Sequence, residues 1–469
     1  MDIDNHQDSS DSNTDDDTDT DTDDEETPSD LYGVTADLLI PGRGDPIPNG
    51  GIIVSPSTGT IHWAGQLQSQ SSPRSSLSLP EKYAHVPFTS HPGTTLLPGL
   101  WDVHTHFFGT GVAVPTVSGN SIAEWMPGHQ ARVGAALVAD LHATLLAGFT
   151  SVRELGGTAG HLQPLIAAGA IAGPNVYSAL AVLTITGGHG DRHDCPLEVI
   201  RPLDPNRRAA ANDYMICDGV DECLRGTRQV IRNGAKVIKI CSTGGVLSLQ
   251  DSPEDSQFGA AEIEAIVQEA ARSSRVVASH AIGKNGIVSA LKGGVKTIEH
   301  GMYLDAEVAA LMKEKGAILV PTRHIVETIA AGGEEFPPPL KKKVEKVIGR
   351  IAKLSRKSLQ FAVAEGVKIA LGTDTHSSDR SSPISHGKNA KELHWLKEAG
   401  MTPLQAIEAA TATPPETLGG QAPKAGQLRA GYDADFILVR GNPLDDLEVL
   451  MDVDSITHVW KGAKAFKST

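Results

Sequence analysis

Asp102-Val103-His104-Thr105-His106 follows the first of a series of apolar runs and sets two histidines two residues apart. In extended chain, side chains at i and i+2 share a face, so His104 and His106 can reach into one space. Two imidazoles holding one metal ion need that arrangement. Alone, such a pair is a weak signal, because buried histidines are often structural. The runs that follow add weight. Residues 95–97, 150–153, 175–183, 236–240, 275–279, 296–298, 317–320 and 368–371 read as eight strands. Helical periods lie between them, clearest at 131–147, 220–233, 261–272, 305–314 and 340–365. Eight alternating units over roughly 280 residues predict an α/β fold built as a (β/α)8 TIM barrel, with an open doubly wound sheet as the alternative.

The two ends read differently. Residues 31–39, 51–55 and 60–64 are short strands separated by Gly, Pro and Asn, and residues 67–92 look like a loop. Residues 435–440 and 456–461 are strand-like again, around Gly441-Asn442-Pro443. All-β ends flanking an alternating middle predict a small composite β-sandwich. The expected organisation is an acidic tail (1–30), a first sandwich part (31–96), the barrel (97–424) and a second sandwich part (425–469).

Barrel active sites form at the C-terminal ends of the strands. Lys239 sits inside an apolar run, Val237-Ile238-Lys239-Ile240-Cys241, where a charged amine is costly to bury. It either snorkels outward or works as a neutral amine, which can take up carbon dioxide and become a carbamate. His280 ends the fifth run, His300 the sixth and Asp374 the eighth. His, Lys, His, His and Asp at five strand ends point to a metal site. The donors are nitrogen and oxygen without thiolate, which suits Zn²⁺ first and Mn²⁺, Co²⁺ or Ni²⁺ as alternatives.

Charge and composition exclude other classes. The net charge of the 469 residues is −16, yet the first thirty contain fourteen Asp or Glu and no Lys or Arg. The rest of the chain therefore carries only −2 and shows no basic stripe, which argues against nucleic-acid binding. So acidic and apolar-poor a start predicts a disordered tail. It also lacks the basic and apolar regions of a signal peptide, and no run of about 18 apolar residues predicts a membrane span. Cys195, Cys217, Cys223 and Cys241 form no CxxC pair, which suggests a reducing, cytoplasmic location.

At the level of motifs the chain resembles the metal-dependent amidohydrolase superfamily. It is similar to the branch of fungal ochratoxinase and bacterial Xaa-Pro and Xaa-Arg dipeptidases, and more distantly to imidazolonepropionase. The resemblance spans about residues 31–469. It rests on Leu97-Pro98-Gly99-Leu100-Trp101-Asp102, Gly173-Pro174-Asn175-Val176-Tyr177-Ser178 and Gly188-His189-Gly190-Asp191. It also rests on Gly234-Ala235-Lys236-Val237-Ile238-Lys239 with Thr243-Gly244-Gly245, Met401-Thr402-Pro403-Leu404-Gln405-Ala406, and the stretch from Gly426 to Asp435.

The resemblance implies two divalent ions. His104, His106 and Asp374 would hold the more buried one, His280 and His300 the second, and carboxylated Lys239 would bridge them. Asp374 would also move the proton during hydrolysis of an amide to an amino acid: a dipeptide, an N-acyl amino acid or ochratoxin A. Large homo-oligomers are implied as well. One departure stands out. Relatives carry His-x-His-Gly after the fifth strand, and here Ile282 replaces the second His in His280-Ala281-Ile282-Gly283.

Substrate contacts are expected from His189, Arg192 and Arg323, since Arg is the natural bidentate partner of a carboxylate. Arg153 with Glu154, and His376, read as supports behind the metal ligands. Lys341-Lys342-Lys343 reads as a solvated helix face, and Gly244 and Gly245 as room for backbone near the metals. The rival readings are a cyclic-amide hydrolase and a barrel that has lost catalysis and serves as a binding subunit.

Overall fold

The computed structural model describes residues 28–67, 79–109, 127–191, 214–248, 250–333, 336 and 338–469. The acidic stretch 1–27, Arg192 and His193 lie outside the described residues.

The N-terminal strands are β1 (Tyr32–Leu39), β2 (Ile47–Pro48), β3 (Gly50–Ser55), β4 (Thr60–Gln66) and β5 (Phe88–Pro98). The middle carries β6 (Leu100–Thr105), β7 (Phe149–Glu154), β8 (Asn175–Ser178), β9 (Val182–Thr184), β10 (Tyr214–Ile216), β11 (Ile238–Cys241), β12 (Val277–Ala281), β13 (Thr297–His300), β14 (Ile318–Val320) and β15 (Lys368–Ile369). The C-terminal strands are β16 (Phe436–Arg440), β17 (Ile456–Lys461) and β18 (Lys464–Ser468). The two ends share one eight-stranded sheet, with β5 pairing antiparallel to β16 and parallel to β1.

Two expectations change here. The run at 95–97 belongs to β5 of this terminal sheet, and the first central strand is β6, which contains His104. Continuous apolar sequence runs from Leu96 through Leu100, so only Gly99 and the tertiary pairing separate the two strands. The run at 175–183 is two strands, β8 and β9, which belong to different sheets. Leu180, with φ of 63°, turns the chain between them.

The central strands are all parallel and form a seven-stranded sheet, β10-β9-β11-β12-β13-β14-β15, and a three-stranded sheet, β6-β7-β8. Backbone hydrogen bonds join the two at both seams. Val103 N donates to Leu371 O at 2.9 Å, Asp374 N to His104 O at 2.8 Å, and Lys236 N to Ser178 O at 2.8 Å. Trp101, Val103, Ala179, Val237, Ala278 and Val320, from around both sheets, share one buried cluster. Strand alternation produces this: Val237 and Lys239 face inward, while Ile238 and Ile240 pack outward with the helices.

The five predicted helices are present as Pro127–Leu146, Gly219–Arg232, Ala260–Ala271, Ala306–Lys315 and Pro338–Glu365. Helices Lys284–Lys292 and Arg323–Ala330 also form, so Arg323 and His324 open a helix and do not end a strand. The motif at Thr402 has a mechanical reason. Thr402 Oγ1 accepts from Gln405 N at 3.2 Å while Gln405 Oε1 accepts from Thr402 N at 2.8 Å, a reciprocal cap before a helix. No described helix is long and apolar enough to cross a membrane.

Asp435 joins the terminal sheet to the centre. Its carbonyl accepts from Gly99 N, and its side chain accepts from Gly462 N at 2.7 Å and Asn175 Nδ2 at 2.9 Å. Burial pushes its carboxyl up to about 7. An unfolded Asp ionises near pH 4, about 3.9. Between those values the unfolded chain has released a proton that the folded chain keeps, so stability falls as pH rises. Melting temperatures measured from pH 4 to 8 should show this fall in the native chain and a smaller one in Asp435→Asn. Equal slopes would remove Asp435 as the cause.

Candidate active site

A pocket partly open to solvent lies at the C-terminal ends of the central strands. His104, His106, His189, Lys239, His280, His300 and Asp374 all line it. The structure thus brings together all six sequence-predicted metal ligands and His189. The tightest group is His104, His106 and Asp374, with one ligand atom from each within 4.8 Å of the others.

The ring orientations decide what these groups can do. His104 Nδ1 lies 2.8 Å from Glu299 Oε2, and His106 Nδ1 lies 2.7 Å from Gly156 O. Both partners only accept, so both Nδ1 atoms donate and both Nε2 atoms keep a lone pair. The Nε2 atoms face Asp374 Oδ1 at 3.6 and 3.1 Å. Three acceptors therefore converge, a donor set that suits a cation. His280 Nε2 donates to Gly244 O at 3.1 Å, which leaves Nδ1 as its lone-pair nitrogen. His300 Nδ1 lies 2.7 Å from Thr322 Oγ1.

Charge states agree with that geometry. Burial holds His104, His280 and His300 well below the usual histidine range, so they are neutral. Burial lowers the Lys239 amine, opposed mainly by Glu299. Neutral imidazoles and an ionised carboxylate are the forms that bind metals.

Two of these residues sit in left-handed backbone: His300 at φ 70° and Asp374 at φ 62°. Such angles are uncommon outside glycine and gather at functional sites. At His300 the turn breaks strand alternation, so that Glu299 and His300, adjacent in sequence, both reach the site. Thr322, a β-branched residue at φ 45°, positions the hydroxyl that meets His300.

The expected supports are rearranged. Arg153 pairs across the interior with Glu299, Nη2 to Oε1 at 2.8 Å, and not with Glu154. Glu154 accepts from Ala159 N, Gly160 N and Ser178 Oγ instead. Asp102 is fully buried and accepts from His104 N, Thr373 N and Asn389 Nδ2, tying β6 to the segment that carries Asp374. His376 lines the pocket, with Nδ1 3.0 Å from Asp374 O.

Arg323 is not brought to the pocket. Its guanidinium is buried against Glu327, Ala352 O and Trp395, because it opens a helix whose own i+4 partner is Glu327. His324 donates to Pro383 O at 2.9 Å and likewise stays outside the pocket lining.

Lys343 corrects another expectation. Lys341 and Lys342 are exposed, but Lys343 Nζ donates to Gly245 O at 3.0 Å, Ser248 O at 2.6 Å and Asp251 O at 2.5 Å. Asp251 Oδ2 in turn accepts from Gly245 N at 2.8 Å and faces His189 Nδ1 at 3.2 Å. His189 stacks on His280 with ring centroids 4.3 Å apart. Gly245 leaves room for the His189 ring, which a Cβ there would overlap. Glu299, Asp251, Thr322 and Lys343 were not assigned site roles from sequence. Adjacency to His300 was the only signal for Glu299, and none marked Lys343.

Comparison with known proteins fits this site. The model of the amidohydrolase family matches residues 95–466. The chain belongs to the amidohydrolase family. It is 41% identical over 440 residues to ochratoxinase of Aspergillus niger, covering 92% of this chain and 86% of that one. The crystal structure of that ochratoxinase superposes with a TM-score of 0.81 at 39% identity, over 93% of this chain and 96% of that one. A Xaa-Pro dipeptidase with methionine bound in its active site gives 0.77 at 28% identity, covering 93% and 100%. This amidohydrolase is therefore a hydrolase of amide bonds, in a family that is generally metal-dependent.

Two substitutions test the support behind His189. Gly245→Ala should displace that ring and lower kcat/KM at least about tenfold, with an unchanged circular dichroism spectrum. Lys343→Ala orphans three carbonyls and should cost about 1–3 kcal/mol in denaturant titration. Wild-type stability in Lys343→Ala would show that the amine ties nothing down.

Proposed function

We propose that this amidohydrolase is a binuclear-metal hydrolase that cleaves the amide joining an acyl group to an amino acid. The observation that carries the reading is the convergence of neutral imidazole lone pairs and the Asp374 carboxylate on one pocket floor beside the buried Lys239 amine. The seam hydrogen bonds and the shared interior cluster support a (β/α)8 barrel over 97–424, with a composite β-sandwich from 31–96 and 425–469. The tail is 1–30.

His104, His106 and Asp374 would hold one ion, His280 and His300 a second, and Lys239 would bridge them. In its neutral form the Lys239 amine adds carbon dioxide and loses a proton, which gives a carbamate with two oxygens to share. Two divalent ions, Zn²⁺ first among the candidates, would supply an acidified water and a polarised carbonyl. Asp374 accepts the proton of the attacking water and returns it to the leaving nitrogen. His189, held by Asp251, faces the same space as a contact for the substrate. The relatives named above support dipeptides, N-acyl amino acids and ochratoxin-like amides as the substrate class. A cytoplasmic homo-oligomer is the form we expect.

The test is purification with Zn²⁺ and bicarbonate, followed by assay of N-acyl amino acids, dipeptides and ochratoxin A. Hydrolysis of at least one is expected, and none, with two metals bound, overturns the reading. Lys239→Ala should lose bound metal and lower kcat/KM by about 100-fold or more. Full metal content and full activity in that variant would refute the bridge.

A further inference from the structure

The pocket has two unlike halves. One holds the histidines, Lys239 and Asp374. The other is a wall of aliphatic side chains drawn from separate elements. Val246 follows β11, Ile282 follows β12 and Met302 follows β13. Ile325 and Ile329 come from helix Arg323–Ala330, and Ile351 from helix Pro338–Glu365. All six belong to one buried cluster, so the wall is backed by further apolar packing and not by solvent.

Ile282 is where the halves meet. It lies two residues after His280, and its backbone is fixed on both sides. Its N–H donates to Thr243 Oγ1 at 2.9 Å, and its carbonyl accepts from Tyr303 N at 3.0 Å. The side chain therefore has little freedom to turn away, and a β-branched residue is stiff besides.

Charge completes the picture. Among the described pocket-lining residues, the only Asp, Glu, Lys or Arg side chains are Lys239 and Asp374, both at the metal end. A carboxylate, ammonium or guanidinium placed against the wall would lose water and find no partner among the described wall residues, which is strongly unfavourable. An aliphatic or aromatic group would instead gain by burial.

We propose that Ile282 is a specificity-determining residue, and that it makes this enzyme select amides bearing a bulky, uncharged apolar group beside the scissile bond. The inference rests on the amide-hydrolase reading above and narrows its substrate class.

The test uses the full-length, metal-loaded enzyme and a series of N-acyl amino acids. One arm varies the side chain among Ala, Leu, Phe, Asp and Arg at a constant acyl group, and the other varies acyl length at constant Leu. On at least one arm kcat/KM should rise 10–100-fold from small to large apolar groups. Asp and Arg substrates should fall below Ala. Ile282→His should compress that preference at least tenfold, mainly through KM for the apolar substrates. Ile282→Val, which keeps an apolar wall, should retain the preference and show that packing is intact. Hydrolysis without preference for apolar over charged groups, or an unchanged preference in Ile282→His, would overturn the assignment. Absence of hydrolysis for every substrate would overturn the underlying reading instead, so the two failures are distinguishable.

Discussion

Glu299, a carboxylate with no exposure to solvent, is the point on which the interior depends. One oxygen meets Arg153 Nη2 and the other His104 Nδ1, each at 2.8 Å, with Thr297 also bonded to it. These contacts link β13 to β7 and β6 across the inside of the strands. Burying such charges is expensive, and each is tolerable only because the others are present. The return is positional. Glu299 can only accept, so His104 must donate from Nδ1 and present Nε2 to Asp374. A surface ion pair could not impose that tautomer on a ring.

The same logic repeats at each candidate ligand. Gly156 O orients His106, Gly244 O orients His280, and Thr322 Oγ1 meets His300. Asp102 holds the backbone of His104 and Thr373, hence the spacing between the HxH pair and Asp374. Lys343, from the long helix Pro338–Glu365, pins the loop whose Asp251 faces His189. The site is thus held from behind by groups that do not line the pocket. Left-handed backbone at His300 and Asp374 is strained, and these surroundings hold it in place.

Much of this was legible in the sequence. The 3.6-residue period marked Gly219–Arg232 and Ala260–Ala271 to within one residue at each end, because amphipathic helices of this length leave a readable pattern. His104, His106, Lys239, His280, His300 and Asp374 could be picked out because an apolar run ending in a titratable group is costly without a use. The strand boundaries were less legible. Leu96 to Leu100 carries no polar break, so its division between the terminal sheet and β6 depends on partners more than 300 residues away, such as β16.

What the sequence determined alone was the residue types and their order: an α/β chain with neutralisable donors at successive strand ends and an acidic opening. Tertiary structure decided which of the remaining charges serve the site. Arg323 was drawn into a buried pair with Glu327, while Lys343, one of three adjacent lysines, was drawn to carbonyls nearly a hundred residues earlier. Nothing local separates Lys343 from Lys342. The difference is the direction each side chain takes from a helix once that helix is docked, and docking is set by the apolar cluster it shares with Ile282, Met302 and Ile325.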